Sequence, residues 1–114
     1  MHELSICQSM LRQIENLVEE KGARGVHSVR VQIGPLSGVE SELLAQAFPV
    51  AVAGSVAQGA ALIMETMPIR VRCQQCGAES EAKTNQLICG HCGDWRTTLI
   101  SGDEMLLTSL ELNT

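Results

Sequence analysis

Cys73-Gln74-Gln75-Cys76-Gly77 and Cys89-Gly90-His91-Cys92-Gly93 are two C-x-x-C-G knuckles with twelve residues between Cys76 and Cys89, and the rest of the chain is organised around them. Two intervening residues let both thiolates of a pair reach one ion, and the glycine that follows lets the backbone turn around the sulfurs without a Cβ clash. Four thiolates complete a tetrahedral Zn(II) shell and leave no position for water, which makes the expected site structural. A redox dithiol needs one pair placed before a helix, not two pairs facing each other. Iron–sulfur ligation is the lesser rival. His91 stands between two ligands and could replace a cysteine, but it reads as an exposed knuckle residue.

The stretch from Cys73 to Thr97 holds four of the five cysteines and three glycines, with few large apolar side chains beyond Leu87, Ile88 and Trp95. A segment this small cannot bury enough surface to fold without a staple, and the metal supplies it. Strands lead in and out. The expectation is therefore an α/β domain formed by residues 1–71 and completed by a closing β-hairpin at 98–114, with a zinc module inserted at 72–97.

Downstream, Leu99-Ile100 and Met105 to Leu112 flank Ser101-Gly102-Asp103, whose Gly-Asp pair suits a two-residue hairpin turn. Upstream, Leu62 to Val71 reads as a long strand interrupted or bent at Pro68, preceded by a loop at 54–59. Ser37-Gly38-Val39-Glu40 has capping-box spacing ahead of a helix from Glu42 to about Val52, with Leu43, Leu44, Ala47 and Phe48 facing a core. Pro49 should kink or shorten that helix. Val29, Val31 and Ile33 alternate with Ser28, Arg30 and Gln32, the period of a half-buried strand stopped by Gly34-Pro35. From Leu4, apolar residues at Leu4, Cys7, Leu11, Ile14 and Val18 describe an amphipathic helix ending at Lys21-Gly22. Cys7 falls in that stripe and reads as a small buried hydrophobe.

A length of 114 residues excludes two full-sized domains. Thirteen acids against eight bases give a net charge of −5, the wrong sign for phosphate backbones, and Phe48 and Trp95 are the only aromatic residues available for stacking on bases. Nucleic acid is thus not an expected partner. No apolar run approaches the ~20 residues of a membrane helix. The start Met1-His2-Glu3-Leu4-Ser5, with no basic residue before Arg12, lacks the pattern of a secretory signal. A cytoplasmic protein with reduced cysteines is expected, which again favours metal ligation over disulfides.

His2 is the residue that composition leaves unexplained. At position two, its imidazole Nδ1, its own backbone nitrogen and the terminal amine can close adjacent five- and six-membered chelate rings, a set suited to planar Ni(II) or Cu(II) once the amide is deprotonated. Several features combine with it: the Met1-His2-Glu3-Leu4-Ser5 start, the Val29-to-Gly34 strand with its Gly-Pro and Ser-Gly turn, and the Arg70-Val71-Arg72-Cys73 entry into the doubled knuckle. With the closing Ile100-Ser101-Gly102-Asp103-Glu104, the chain resembles the HypA/HybF family of nickel metallochaperones for NiFe hydrogenase maturation over essentially its whole length.

The resemblance implies an α+β fold, with two helices packed on a three-stranded mixed sheet and an inserted small four-cysteine, zinc-ribbon-like domain. It implies nickel ligation by His2 with the Met1 amine and the backbone at His2 and Glu3, and structural zinc on Cys73, Cys76, Cys89 and Cys92. The implied role is that of a non-enzyme carrier of Ni2+ with a resident Zn2+. Its implied partners are a HypB-type nickel-handling GTPase and the hydrogenase large-subunit precursor, with a homodimer left open. The alternative reading is a zinc-ribbon interaction module without nickel delivery. A zinc hydrolase is disfavoured, because four cysteines leave no open coordination position.

Overall fold

The structure, a computed structural model, describes residues 2–113. Helix α1 (Glu3–Lys21) buries Glu3, Cys7, Met10, Ile14 and Val18. The inward stripe departs from expectation at two places: Leu4 is 42% exposed and Leu11 half-buried, while Glu3 and Met10 point inward. A stripe through Cys7, Ile14 and Val18 passes almost equally close to positions 3 and 4, and to 10 and 11, so periodicity alone does not choose between neighbours. At the helix start a hydrogen bond chooses, since the Glu3 carboxylate accepts the Glu40 N–H at 3.4 Å. The helix stops at Gly22 as Lys21-Gly22 predicts, with the Ala23 N–H on the Val18 carbonyl at 3.0 Å.

Strand β1 (Gly25–Ile33) buries Val29, Val31 and Ile33 as expected, and Val26 and Ser28 as well. It is the central strand. Strands β2 (Ala61–Thr66) and β6 (Met105–Asn113) flank it in a three-stranded sheet of order β2-β1-β6. Between β1 and β2 runs α2 (Ser41–Val52), which continues through Pro49 to Val52 and buries Leu44, Phe48 and Val52 at intervals of four.

Two expectations for α2 are corrected. Leu43 is 38% exposed and does not face the core. The capping box does not form: the N-cap is Glu40 with no side-chain cap bond, while the Ser37 hydroxyl accepts the Val39 N–H at 3.2 Å. A serine that closes a turn on its own next-but-one amide is no longer free to cap a helix. The two helices pack against each other, with Cys7 Sγ 3.9 Å from the Leu44 carbonyl. Burial and, after it, the nearby Glu3 charge push the Cys7 thiol up, in keeping with an inert core residue.

The chain divides into two compact units. One comprises Met1–Val31, Glu40–Glu65 and Leu107–Thr114; the other comprises Gln32–Val39 and Thr66–Leu106 and extends beyond residues 72–97 on both sides. The second unit holds an antiparallel sheet of order β4-β3-β5, with β3 at Arg70–Cys73, β4 at Glu79–Glu81 and β5 at Thr97–Ser101. Its register sets Arg72 opposite Glu79 and Thr98, and Cys73 opposite Thr97. The expected strand over Leu62 to Val71 is broken around Pro68, and its halves β2 and β3 join different sheets.

The closing β-hairpin is likewise corrected, since β5 and β6 belong to different sheets. The bend that replaces the expected turn is held elsewhere: Gly34 N–H donates to the Glu104 carbonyl and Leu36 N–H to the Gly102 carbonyl, each at 2.7 Å. A Cβ on Gly34 would lie 2.2 Å from the Gly102 oxygen. Among the described residues no helix is long and apolar enough to cross a membrane.

Candidate metal centres

Strand β3 delivers Cys73, and each knuckle then closes with the same pair of backbone bonds. In the first, Gly77 N–H reaches the Cys73 carbonyl at 3.1 Å and Cys73 N–H the Ala78 carbonyl at 2.9 Å; in the second, Gly93 reaches Cys89 at 3.0 Å and Cys89 reaches Asp94 at 2.9 Å. Gly77 and Gly93 have φ of 74° and 80°, the left-handed backbone for which glycine is suited. Inside each turn two amides point at the leading sulfur. Gln75 and Cys76 donate to Cys73 Sγ at 3.3 and 3.4 Å, and His91 and Cys92 both donate to Cys89 Sγ at 3.3 Å.

The two turns face each other. Cys73 Sγ lies 3.5 Å from Cys92 Sγ, and Cys76 Sγ lies 3.6 Å from Cys89 Sγ; all four sulfurs fall within 4.8 Å of one another. Sulfurs each ~2.3 Å from a tetrahedral zinc would stand about 3.8 Å apart, so the donor set fits the ion in number, type and spacing. The leading cysteines are buried and the trailing ones exposed.

The electrostatics follow the same division. The Cys92 N–H holds the Cys89 thiol down at about 6 against its burial, and the Cys76 N–H lowers Cys73 in the same way. For Cys92, the Asp94 amide lowers the thiol, but hydrogen bonding with Cys73, burial and Cys89 outweigh it and push it up to about 12. Four thiolates at this spacing repel one another strongly, and a dication at their centre lets all four ionise.

Residues that the sequence reading passed over hold the second knuckle in place. Ser80 Oγ accepts the Gly90 N–H at 2.9 Å, and Thr97 Oγ1 donates to the Leu87 carbonyl at 2.7 Å. Asp94 takes Arg96 in a two-pronged contact, Nε to Oδ1 at 3.1 Å and NH2 to Oδ2 at 3.0 Å. Only Asp94, two residues past a knuckle cysteine, offered a local signal. His91 is exposed and lies outside the sulfur cluster.

At the other candidate centre, Met1 lies outside the described residues. His2 occupies the N-cap position of α1, with its side chain 58% exposed and its carbonyl accepting the Ile6 N–H at 3.0 Å. The Glu3 side chain is 5% exposed, and its Oε2 is 3.9 Å from His2 Nε2. The Glu3 carboxylate is thus turned inward, toward the start of α2, and its backbone nitrogen lies in the first helical turn. The amides of that turn have no carbonyl one turn earlier to bond to. A metal that displaced the protons at positions 2 and 3 would break no helical hydrogen bond.

Known proteins resemble this chain over nearly its whole length. A family model described as "Hydrogenase/urease nickel incorporation, metallochaperone, hypA" matches residues 1–112. The hydrogenase maturation factor HypA of Nitrosospira multiformis is 46% identical over 114 residues, covering 100% of this chain and 99% of its own. That of Aquifex aeolicus is 47% identical over 112 residues, covering 98% and 97%. Among solved structures, the Ni metallochaperone HypA from Helicobacter pylori superposes with a TM-score of 0.74 at 25% identity, covering 99% of this chain and 98% of that one.

Proposed function

The chain belongs to the HypA family of nickel-incorporation metallochaperones, and from that premise we propose that it carries Ni(II) to the large-subunit precursor of NiFe hydrogenase without itself being an enzyme. The name "hydrogenase maturation factor" borne by its relatives supports that destination. The observation that carries the nickel reading is the exposed His2 imidazole at the N-cap of α1, 3.9 Å from the Glu3 carboxylate. The ligands are the Met1 amine, the His2 backbone nitrogen and imidazole, and the Glu3 backbone nitrogen. Each donor gives up a proton or begins without one, so binding weakens as pH falls.

Cys73, Cys76, Cys89 and Cys92 hold zinc as a resident ion, which keeps the knuckles closed. In this reading residues 1–71 and 98–114 handle nickel and 72–97 form the zinc insert. A HypB-type GTPase supplies or receives the cargo, and the work is cytoplasmic. A chaperone needs an ion it can surrender, and a site of few exposed ligands at a chain terminus suits that need better than an enclosed cage.

The test is a nickel titration of the untagged protein against His2→Ala, with zinc measured in the same samples. An N-terminal tag would remove the free amine. Loss of specific nickel binding with unchanged zinc content and thermal stability is expected, together with loss of hydrogenase maturation in cells. Unchanged nickel affinity in His2→Ala would overturn the assignment of the amino terminus.

A further inference from the structure

The four cysteines of the cluster are not equivalent. Cys73 and Cys89 are each 2% exposed, and each sulfur accepts two amide N–H groups of its own knuckle at 3.3 to 3.4 Å. Cys76 and Cys92 are exposed. Because oxidation of a thiolate follows access, an oxidant arriving from solvent meets the trailing sulfur of each knuckle first. Both sulfur–sulfur hydrogen-bond contacts then lead across the cluster: Cys92 Sγ is 3.5 Å from Cys73 Sγ, and Cys76 Sγ is 3.6 Å from Cys89 Sγ. Each joins an exposed cysteine to a buried one of the other knuckle.

These pairs are nineteen and thirteen residues apart in sequence and nest one inside the other. Bonds across them would keep the two turns face to face, as the ion does. Bonds within each knuckle would close only the short C-x-x-C ring and leave the turns unlinked, and the stabilisation from a cross-link grows with the loop it closes.

We propose that the cluster is a site of reversible oxidation by peroxides, in which Cys92 and Cys76 react first and resolve onto Cys73 and Cys89, so that two nested disulfides replace the ion and keep the knuckles clasped. The Cys92 thiolate attacks the peroxide: an S–O bond forms, the O–O bond breaks, and hydroxide leaves with the electron pair. The Cys73 thiolate then attacks that sulfur, so that an S–S bond forms, the S–O bond breaks and a second hydroxide leaves. Cys76 and Cys89 repeat the two steps. Four thiolates thus give four electrons to two molecules of hydrogen peroxide, and the products are two disulfides, four hydroxides and free Zn(II). The ion departs because thiolate, and not disulfide, is its ligand. This inference rests on the zinc reading of the cluster and is independent of nickel carriage.

The experiment treats the untagged, reduced, zinc-loaded protein with hydrogen peroxide. Two equivalents should release the zinc completely to a metallochromic dye. Partial reduction with differential alkylation, read by mass spectrometry, should then find Cys73 bonded to Cys92 and Cys76 to Cys89. Amide resonances of residues 73–97 should stay dispersed in this oxidised, metal-free chain, and a thiol reductant with added zinc should restore the starting spectrum. With less peroxide and dimedone present, the sulfenic acid should be trapped on Cys76 and Cys92 and not on Cys73 or Cys89. Cys7→Ala, which removes a fully buried thiol outside the cluster, should change neither the stoichiometry nor the disulfide map. A chain that holds no zinc before peroxide is added would sink the zinc reading and this inference with it. With zinc present at the start, disulfides within the knuckles, first adducts on the buried cysteines, or zinc retained after two equivalents would overturn this inference alone.

Discussion

At Gly34 a single hydrogen atom matters more than most side chains. An alanine there would place its Cβ 2.2 Å from the Gly102 carbonyl oxygen and 3.0 Å from the Asp103 nitrogen. Both are backbone atoms in a segment fixed by hydrogen bonds of 2.7 Å, so nothing can swing aside. Gly34→Ala should cost roughly 3 kcal/mol or more. Gly38→Ala makes a control: Gly38 has φ of 78° and open space around it, so only the left-handed backbone is strained, at about 1 to 2 kcal/mol. Urea midpoints would rank the two, and equal shifts would show that the crossing of residues 34 and 102 yields easily. The sequence marks Gly34-Pro35 as a strand stop, but nothing near it announces contact with a glycine so far along the chain. Glu3 is hidden for a related reason, because a helical stripe tolerates position 3 or 4 equally and the deciding partner, the Glu40 amide, comes from the start of another helix.

The knuckles are the elements the sequence exposes most clearly, because the bonds that shape them span four or five residues and their chemistry is carried by the cysteines themselves. Strand partners are the opposite case. At Gly102-Asp103 the chain only bends, and the strands beside it do not pair with each other: Gly34 and Leu36 take the carbonyls of Glu104 and Gly102. At Ser37 the competition is local instead, because its hydroxyl takes the Val39 N–H two residues on and leaves the cap unmade. The metal dependence of the cysteine elements can be measured. With structural zinc worth about 10 to 16 kcal/mol in small modules, losing one thiolate exceeds what Val71, Ile69 and the short strands supply. Cys76→Ser or Cys89→Ser should release the metal and broaden amide resonances around residues 73–97, while signals from α1 and α2 keep their dispersion. Removing the ion from wild type with a strong chelator should reproduce that pattern. Retained sharp signals at 73–97 in a metal-free, reduced sample would refute the staple.

Over the whole molecule the charge of −5 is unevenly shared. The unit that includes both helices has eight acids against four bases, and the unit that includes the knuckles has five against four, before the extra −2 of four thiolates around one dication. A negative field speeds capture of a cation, but how far it reaches depends on salt. Helix α1 has 19 residues and so is about 28 Å long, which puts exposed Glu19 and Glu20 at the end remote from His2. The Debye length is about 30 Å at 0.01 M salt and about 8 Å at 0.15 M. The remote pair should therefore assist nickel association only in dilute salt, and by less than about two-fold at that distance. Glu3 Oε2 is 3.9 Å from His2 Nε2 and 3.4 Å from the Glu40 nitrogen, so the Glu3 carboxylate and the backbone of Glu40 both lie within a Debye length of the imidazole at 0.15 M. Stopped-flow nickel binding should find Glu19→Gln/Glu20→Gln slightly slower at 0.01 M and indistinguishable from wild type at 0.15 M, whereas Glu40→Gln should be slower at both. A Glu19/Glu20 effect that persisted at 0.15 M would mean the cation first meets the protein along the acidic face of α1, and that the proposed terminal site is filled from there rather than directly from solvent.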